Sequence, residues 1–549
     1  METAYTVSTY LIQKLHECGV KHIFGVPGDY VLGFYDQLIR TKTLEVINMC
    51  DELAAAFAAD AYARVKGLGV VCITYCVGGL KVVNATAQAY AEKSPIVVIS
   101  GAPGTKERTR NPLLHHMVRD YDTQQKIFEH ITVASAVLDN PDNAPAEIDR
   151  ALSTALRYKR PVYIELPRDV VNSPVVIASN HLINAGYEEP SEPLAMAEAV
   201  EEAAAMINAS QKPVIVAGVE IQRFGLQDEV LRLTEKTDIP VVATILSKSV
   251  ISEHHPSYLG LYQGAMGDEW VREYVESSDC LILLGALMTD IDFGISVTPI
   301  EQRHSIYVTS EKMSIRHHNF ENVRLHDFIR NLIDANVKMR EPIHLNRHGY
   351  QNSFSINIGK KITVQHLFNK LASFITTDTI VIADVGDCLF GALDLVIPHD
   401  AEFLAPAFYT SMGFAVPASI GAQLANPRLR PLVIVGDGAF QMTGMEISSA
   451  VRYKLNPIVI VLNNGGYGTE RRLLDGPFND LQPWQYRSIP EIVGGGRGFV
   501  IDTEDEFDKA LEAANQYLDG FCILDVRLDP NDGSAALQRL TDVLGKRVR

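Results

Sequence analysis

Residues 431–470 read PLVIVGDGAFQMTGMEISSAVRYKLNPIVIVLNNGGYGTE, and their succession of apolar runs and glycines decides how the chain folds. Leu432 to Val435 is a short apolar β-rich run, Gly436-Asp437-Gly438 is a tight turn, and Met442, Met445, Ile447 and Val451 supply an apolar stripe for a helix. A second apolar run, Ile458 to Leu462, ends in Asn463-Asn464. Strand, helix and strand in that order make a parallel βαβ unit whose ligands lie at the carboxyl ends of its strands. Asp437 and Asn464 are therefore expected side by side. One carboxylate, one amide oxygen and a loop carbonyl such as that of Gly466 form an all-oxygen set suited to Mg2+, which leaves positions open for phosphate oxygens and water. The glycines let backbone approach a phosphate closely, and the helix N-terminus adds partial positive charge. A Gly-Asp-Gly by itself is also an ordinary turn; its pairing with the two asparagines carries the argument.

The length of 549 residues allows about three or four domains, and 47% hydrophobic with 21% charged residues is the composition of a globular protein. A net charge of -18 argues against a nucleic-acid or anionic-membrane surface. The start, METAYTVSTYLIQKLHECGV, lacks a basic segment followed by an apolar core, and no run reaches the roughly 20 apolar residues of a membrane span, so a cytoplasmic protein is expected. Seven dispersed cysteines (18, 50, 72, 76, 280, 388 and 522) have no zinc-site spacing and read as buried free thiols.

From the N-terminus to residue 185 the pattern alternates helix and strand: short strands at His22–Phe24, Leu44–Ile47, Val70–Thr74 and Ile96–Ser100, with helical stretches at 30–40, 52–66 and 79–91 between them. Stretches near 175–195 and 340–360 lose this periodicity and read as linkers. They divide the chain into 1–185, 190–345 and 355–549, an α/β fold of three doubly wound parallel-sheet domains. Two loops of the first domain lie where open α/β sheets bind ligands: Gly25-Val26-Pro27-Gly28-Asp29 and Cys50-Asp51-Glu52. Glu52 opens a helix of nearly all alanine, AAAFAADAYA, so its neighbours are expected to be small and apolar; position alone also allows a plain helix N-terminal acid. His115-His116 are adjacent, so they cannot share a helix face as a chelating pair, and they read as a polar loop or an active-site loop. The middle domain shows no phosphate-loop or GxGxxG fingerprint.

Gly436-Asp437-Gly438 followed, after residues 439–462, by Asn463-Asn464 resembles the binding motif of the thiamine-diphosphate (ThDP) enzyme superfamily. GVPGDYVL (25–32) with DELAAAFAADAYARVKG (51–67) resembles the pyrimidine-binding domain of ThDP-dependent decarboxylases, and RPVYIELPRDV (160–170) is similar to its closing strand. The His115-His116 pair ahead of VRDYDTQ resembles the 2-oxo-acid decarboxylase branch, which acts on pyruvate, indolepyruvate, phenylpyruvate or branched-chain 2-oxo acids. The resemblance implies a pyrimidine-binding, a middle and a diphosphate-binding domain, with ThDP and Mg2+ as cofactors. It implies Glu52, Thr410, Met412, Gly436, Asp437, Gly438, Ala439, Asn464, Gly466 and Tyr467 as cofactor contacts, with Asp437, Asn464 and Gly466 on the metal. Met412 matches the side chain that props ThDP in its bent shape, although spacing alone fits core packing equally.

ThDP works as a carbon nucleophile at C2 that attacks a carbonyl and holds the electrons left when CO2 departs. Glu52, hydrogen-bonded to the aminopyrimidine, is implied to promote the tautomer that takes the C2 proton. Asp29, His115, His116 and Glu470 match the acid–base groups around C2. The expected activity is non-oxidative decarboxylation of a 2-oxo acid to an aldehyde and CO2. Its rivals are an FAD-containing, acetolactate-synthase-like carboligase and a non-catalytic ThDP-binding protein. GYGTE stands where GYTIE is common in pyruvate decarboxylases, so Gly468 and Thr469 leave room for branched-chain or aromatic substrates. Family members build each site from two subunits, which implies a homodimer as the smallest active unit and a homotetramer as the usual assembly. The segment Glu220-Ile221-Gln222-Arg223-Phe224 holds no cysteine, which puts in doubt the substrate activation tied to one there in yeast pyruvate decarboxylases.

Overall fold

Three β-sheets organise the computed structural model, which describes residues 5–176, 189–293, 302–342, 357–398 and 401–548. The first contains β1 (His22–Gly25), β2 (Glu45–Asn48), β3 (Gly69–Ile73), β4 (Ile96–Ala102), β5 (Ala134–Val137) and β6 (Val162–Pro167). All its pairings are parallel, in the order β2-β1-β3-β4-β6-β5. Helices cross between consecutive strands, so both faces of the sheet are covered and the central strands are near-continuous apolar runs; β3 and β4 are buried at every residue. The strand order reverses between β1 and β3, which opens a crevice at the carboxyl ends there.

The second sheet holds β7 (Pro213–Ala217), β8 (Val241–Ala243), β9 (Tyr258–Leu261), β10 (Cys280–Leu284), β11 (Ser305–Val308), β12 (Met313–Ile315) and β13 (His318–Phe320), in the order β13-β12-β11-β10-β7-β8-β9. Its β11-β12-β13 edge is antiparallel and the rest is parallel. The third sheet holds β14 (Thr379–Ala383), β15 (Glu402–Leu404), β16 (Arg430–Gly436), β17 (Ile458–Asn463), β18 (Arg497–Ile501) and β19 (Cys522–Arg527), all parallel, in the order β15-β14-β16-β17-β19-β18. The expected three doubly wound sheets are present, and the antiparallel edge of the second is the one departure from a wholly parallel pattern.

The described residues gather into two compact units. Described residues within Met1–Glu188, Tyr409–Arg428 and Thr443–Leu455 form one unit; those within Glu189–Phe408, Leu429–Met442 and Asn456–Arg549 form the other. The expected boundaries at 185, 345 and 355 lie outside the described residues. In the second unit the two sheets share one apolar core, running from Ile215 and Ile282 to Val381 and Ile434. A buried ion pair joins them: Lys248 Nζ lies 2.9 Å from both Glu253 oxygens and donates to the Leu395 carbonyl at 2.6 Å, while Ile397 N donates to Glu253 at 2.9 Å. In the first unit the helices Glu52–Lys66 and Ala415–Ala425 pack backbone against backbone, which their runs of alanine and glycine permit.

The helix expected after the Gly-Asp-Gly turn is broken. A helix begins directly at Asp437, passes through a 3-10 turn at Gly444–Ile447 and resumes at Ser448–Arg452. Of the expected stripe, Ile447 is buried and Val451 half-buried, while Met442 and Met445 are exposed; Ala439, Phe440 and Ala450 are buried instead. All seven cysteines are free, but Cys50 is exposed and Cys18 half-buried, so the expectation of buried thiols holds for five. No helix among the described residues is long and apolar enough to cross a membrane.

Candidate active site

In the first unit three carboxyl-end segments converge. Asp29 follows β1, His115-His116 lie beyond β4, and Arg168 follows β6 directly. His115 Nε2 is 2.8 Å from Asp29 Oδ2, and the two histidine ring centroids are 4.7 Å apart. One ligand-type atom from each of Asp29, His115 and His116 lies within 4.8 Å of the others. The pair sits in a loop turn, as the loop reading expected, with His116 in the left-handed region at φ 67, which brings both rings to one side. His116 Nδ1 is buried with no hydrogen-bond partner among the described residues. Tyr30 stacks on His115 at 4.8 Å and its hydroxyl donates to the His115 carbonyl at 3.2 Å. Burial holds the Tyr30 phenol above its ordinary value.

Glu52 is the first residue of its helix, and Asp51 caps it by accepting from Leu53 N at 2.9 Å. The expected apolar surroundings hold for residues 54–59, all buried, but not for Glu52 itself. Its Oε2 accepts from Lys81 Nζ at 2.6 Å, and Lys81 also pairs with Asp51. A first-turn side chain projects past the helix end, here toward the 3-10 turn Gly79–Val82, instead of along the alanine face. The loop before Glu52 leaves edge strand β2, whose outer N–H groups need partners from elsewhere. Cys50 N lies 3.1 Å from both Glu446 oxygens, and Asn48 N donates to the Tyr453 hydroxyl at 2.6 Å. Burial raises the Glu446 carboxyl above its usual range.

Thr410 and Met412 lie on a segment of this same unit held at several points. Tyr409 N donates to Glu92 at 2.8 Å, Asn84 donates to Ser411 Oγ at 2.6 Å, and Thr443 Oγ1 donates to the Gly413 carbonyl at 2.5 Å. Thr410 has φ 57, a strained conformation for a β-branched residue that these contacts over-determine. Met412 is half-buried.

The second unit carries the cradle. Asp437, only 2% exposed, accepts from Gly438 N through Oδ1 at 2.8 Å and from Gly465 N and Gly466 N through Oδ2 at 2.7 and 3.1 Å. Asn464 Oδ1 lies 3.3 Å from the same Gly466 N, so Asp437 and Asn464 bring their oxygens to one point as expected from the βαβ reading. Gly465 takes φ 74, and a Cβ on Gly466 would lie 2.2 Å from the Asn479 carbonyl, so the turn admits only glycines. Burial pushes the Asp437 carboxyl up to about 6 despite its three N–H donors. Gly436 and Ala439 flank Asp437 at the strand end and in the first helical turn. Tyr467 is half-buried, and Glu470 is exposed on the short helix Gly468–Leu473. Gly468 has a structural reason beyond substrate size, since a Cβ there would lie 2.8 Å from Asn464 Nδ2.

Comparison with known proteins gives this geometry a family. Residues 5–127 match the family described as thiamine pyrophosphate enzyme, N-terminal TPP binding domain; residues 200–335 match the central domain and 384–526 the C-terminal TPP binding domain. An indole-3-pyruvate decarboxylase of Azospirillum brasilense is 37% identical over 518 residues, covering 92% of each chain. A probable pyruvate decarboxylase of Schizosaccharomyces pombe is 31% identical over 542 residues, 97% of this chain and 94% of the relative. Pyruvate decarboxylase 2 of Arabidopsis thaliana is 31% identical over 552 residues, 97% of this chain and 90% of the relative. The chain belongs to the ThDP-dependent 2-oxo-acid decarboxylase family. The cradle fits the diphosphate end of that cofactor: a glycine turn that only a backbone can occupy, and a buried carboxylate whose desolvation favours a neutralising cation. Sequence reading missed Lys81, Glu446 and Arg168. A charged residue directly at the carboxyl end of a parallel strand was the available signal for Arg168.

Proposed function

We propose that this chain decarboxylates a 2-oxo acid non-oxidatively to an aldehyde and CO2, with Mg2+ held by Asp437, Asn464 and the Gly466 carbonyl. The observation that carries the reading is the convergence of Asp29, His115 and His116 on one point of the first unit. ThDP, when bound, supplies the carbon nucleophile and the electron sink. The chain's own task is then proton handling, because a proton must be delivered where CO2 has left and another removed before the aldehyde departs. His116 Nδ1 has no hydrogen-bond partner among the described residues, and His115 is oriented by Asp29 on one side and Tyr30 on the other. Glu52 is proposed to hold the aminopyrimidine and Glu470 to complete the acid–base set. Thr410 and Met412, fixed by Glu92 and Asn84, are proposed to support the cofactor's bent shape.

The middle sheet supports this reading over a flavin-dependent carboligase. At the carboxyl end of β7, where a dinucleotide phosphate would need donors, the buried Glu220 carboxylate already takes Ser310 N and Oγ at 2.7 and 2.6 Å. Its negative charge opposes a phosphate in that position. The 37% identical relative named for indole-3-pyruvate supports an aromatic substrate, as does the small Thr469 beside Glu470. We propose a homodimer as the smallest active assembly and part of a homotetramer in the cytoplasm. The test is aldehyde release, coupled to an alcohol dehydrogenase, across pyruvate, 2-oxoisovalerate, phenylpyruvate and indolepyruvate with ThDP and Mg2+. Aldehyde from none of the four refutes the activity. Pyruvate as the best substrate refutes the proposed preference.

A further inference from the structure

The geometry points to Arg168 as a positioning residue that clamps the Asp29–His115 pair; this rests on the acid–base reading proposed for that pair. Arg168 lies immediately after β6, and its backbone N donates to the Ala102 carbonyl at the end of β4 at 3.0 Å, so its base is fixed to two central strands. One edge of the guanidinium is taken by Glu107: Nε donates to Oε2 at 3.0 Å and Nη2 to Oε1. Glu107 is itself tied to Gly104 N at 2.8 Å. The remaining nitrogen, Nη1, faces Asp29 Oδ2 at 3.6 Å, the same oxygen that His115 Nε2 meets at 2.8 Å. The face of the guanidinium lies over the Tyr30 ring at 4.9 Å, and the Tyr30 ring stacks on His115 at 4.8 Å. Arg168 thus reaches one partner of the pair by charge and the other through an aromatic ring, while Glu107 fixes its orientation. A planar fork can bind a carboxylate on one edge, face another with its third nitrogen and still cover a ring; an ammonium cannot.

This arrangement also bears on the metal-like spacing of Asp29, His115 and His116. A permanent cation 3.6 Å from Asp29 Oδ2 repels a divalent ion at that oxygen, so the cluster is built for protons. The Asp29 and His115 side chains are exposed by 43% and 55%; buried Tyr30 holds His115 from one side, and Arg168 is the cation that faces Asp29. Misplacement of an acid–base pair lowers the rate of the chemical steps more than it weakens substrate binding.

The experiment compares Arg168→Ala, Arg168→Lys, Glu107→Gln and Asp29→Asn as holoenzymes with phenylpyruvate. Hydrogen–deuterium exchange of the apoprotein over residues 112–121 serves as the readout independent of turnover. Arg168→Ala is expected to lower kcat by roughly tenfold, a part of the ~10²–10⁴ that an acid–base group contributes, with KM changed by less than about threefold. Exchange in 112–121 should rise in the same variant. Arg168→Lys should recover kcat only in part, since it keeps the charge and loses the fork, and Glu107→Gln should lower kcat in the same direction. Unchanged kcat and unchanged exchange in Arg168→Ala overturn the clamp, as does a loss confined to KM. If Arg168→Ala fails to fold, Glu107→Gln decides alone, and wild-type kcat and exchange there overturn it. Asp29→Asn with wild-type kcat refutes the acid–base reading instead, and the exchange measurements still judge the clamp separately.

Discussion

Lowering the pH from about 7.5 to about 5 should weaken Mn2+ binding to the apoprotein about tenfold, because Asp437 must be ionised to ligate a cation. The magnitude follows from where the carboxyl sits. Burial raises it from the model-compound value of 3.8 to about 6, and the N–H groups of Gly438, Gly465 and Gly466 offset only part of that cost. Near pH 5 about a tenth of such a group is ionised, against nearly all of it near pH 7.5; an ordinary aspartate would be ionised at both. The stability effect has a definite sign. Between 3.8 and about 6 the folded chain binds this proton more tightly than the unfolded chain, so the stability Asp437 contributes is present at low pH and lost as pH rises through about 6. The loss is at most about 3 kcal/mol, and a bound divalent cation should reverse it. Mn2+ is the probe because free ion is read directly by electron paramagnetic resonance, and omitting ThDP leaves only protein groups to titrate. An affinity that changes less than about twofold over this range would refute the assignment of Asp437 as a buried metal ligand. Asp437→Asn should lose most of the binding together with its pH dependence.

Mixing Glu52→Gln with Asp437→Ala subunits, each inactive alone, should restore part of the activity if every site takes its pyrimidine end and its diphosphate end from different chains; no recovery after verified subunit exchange counts against a shared site. Thr469→Ile should shift kcat/KM from phenylpyruvate toward pyruvate by about tenfold, the low end of the roughly 1–3 kcal/mol that pocket-wall changes command, as measured in the coupled aldehyde assay. Gly421→Ala should destabilise the protein by about 1–3 kcal/mol, because its Cβ would lie 1.9 Å from the Ala58 carbonyl of the facing helix. A thermal scan of that variant that matches wild type would show that the two helices separate at little cost.

By itself the sequence determined the sheets and the cradle. Apolar runs of β-rich residues separated by helical stretches can be buried only as parallel strands with crossovers. Gly-Asp-Gly and Asn-Asn at the ends of neighbouring strands then had to meet, because adjacent parallel strands end together. The structure places Asp437 and Asn464 on one Gly466 N–H accordingly. Helix boundaries were less legible: the break at Gly444–Ile447 falls just where the chain leaves the second compact unit, after Met442, for the first, and no local periodicity marks that point.

Only tertiary structure decided the side-chain partners. His115 and His116 look divergent in any regular element; a left-handed turn at His116 brings them together on Asp29. Glu52 looked enclosed by alanine, yet its place at the helix start turns it toward Lys81, which is 29 residues away in the chain. Arg168 and Asp29 are separated by more than a hundred residues and carry no local signal of each other; both leave the carboxyl ends of strands of one sheet, β6 and β1, and their long reach spans the strands between. Backbone periodicity is a local property written into every few residues, whereas the direction and partner of a charged side chain depend on which strand ends are neighbours and how each turn is wound.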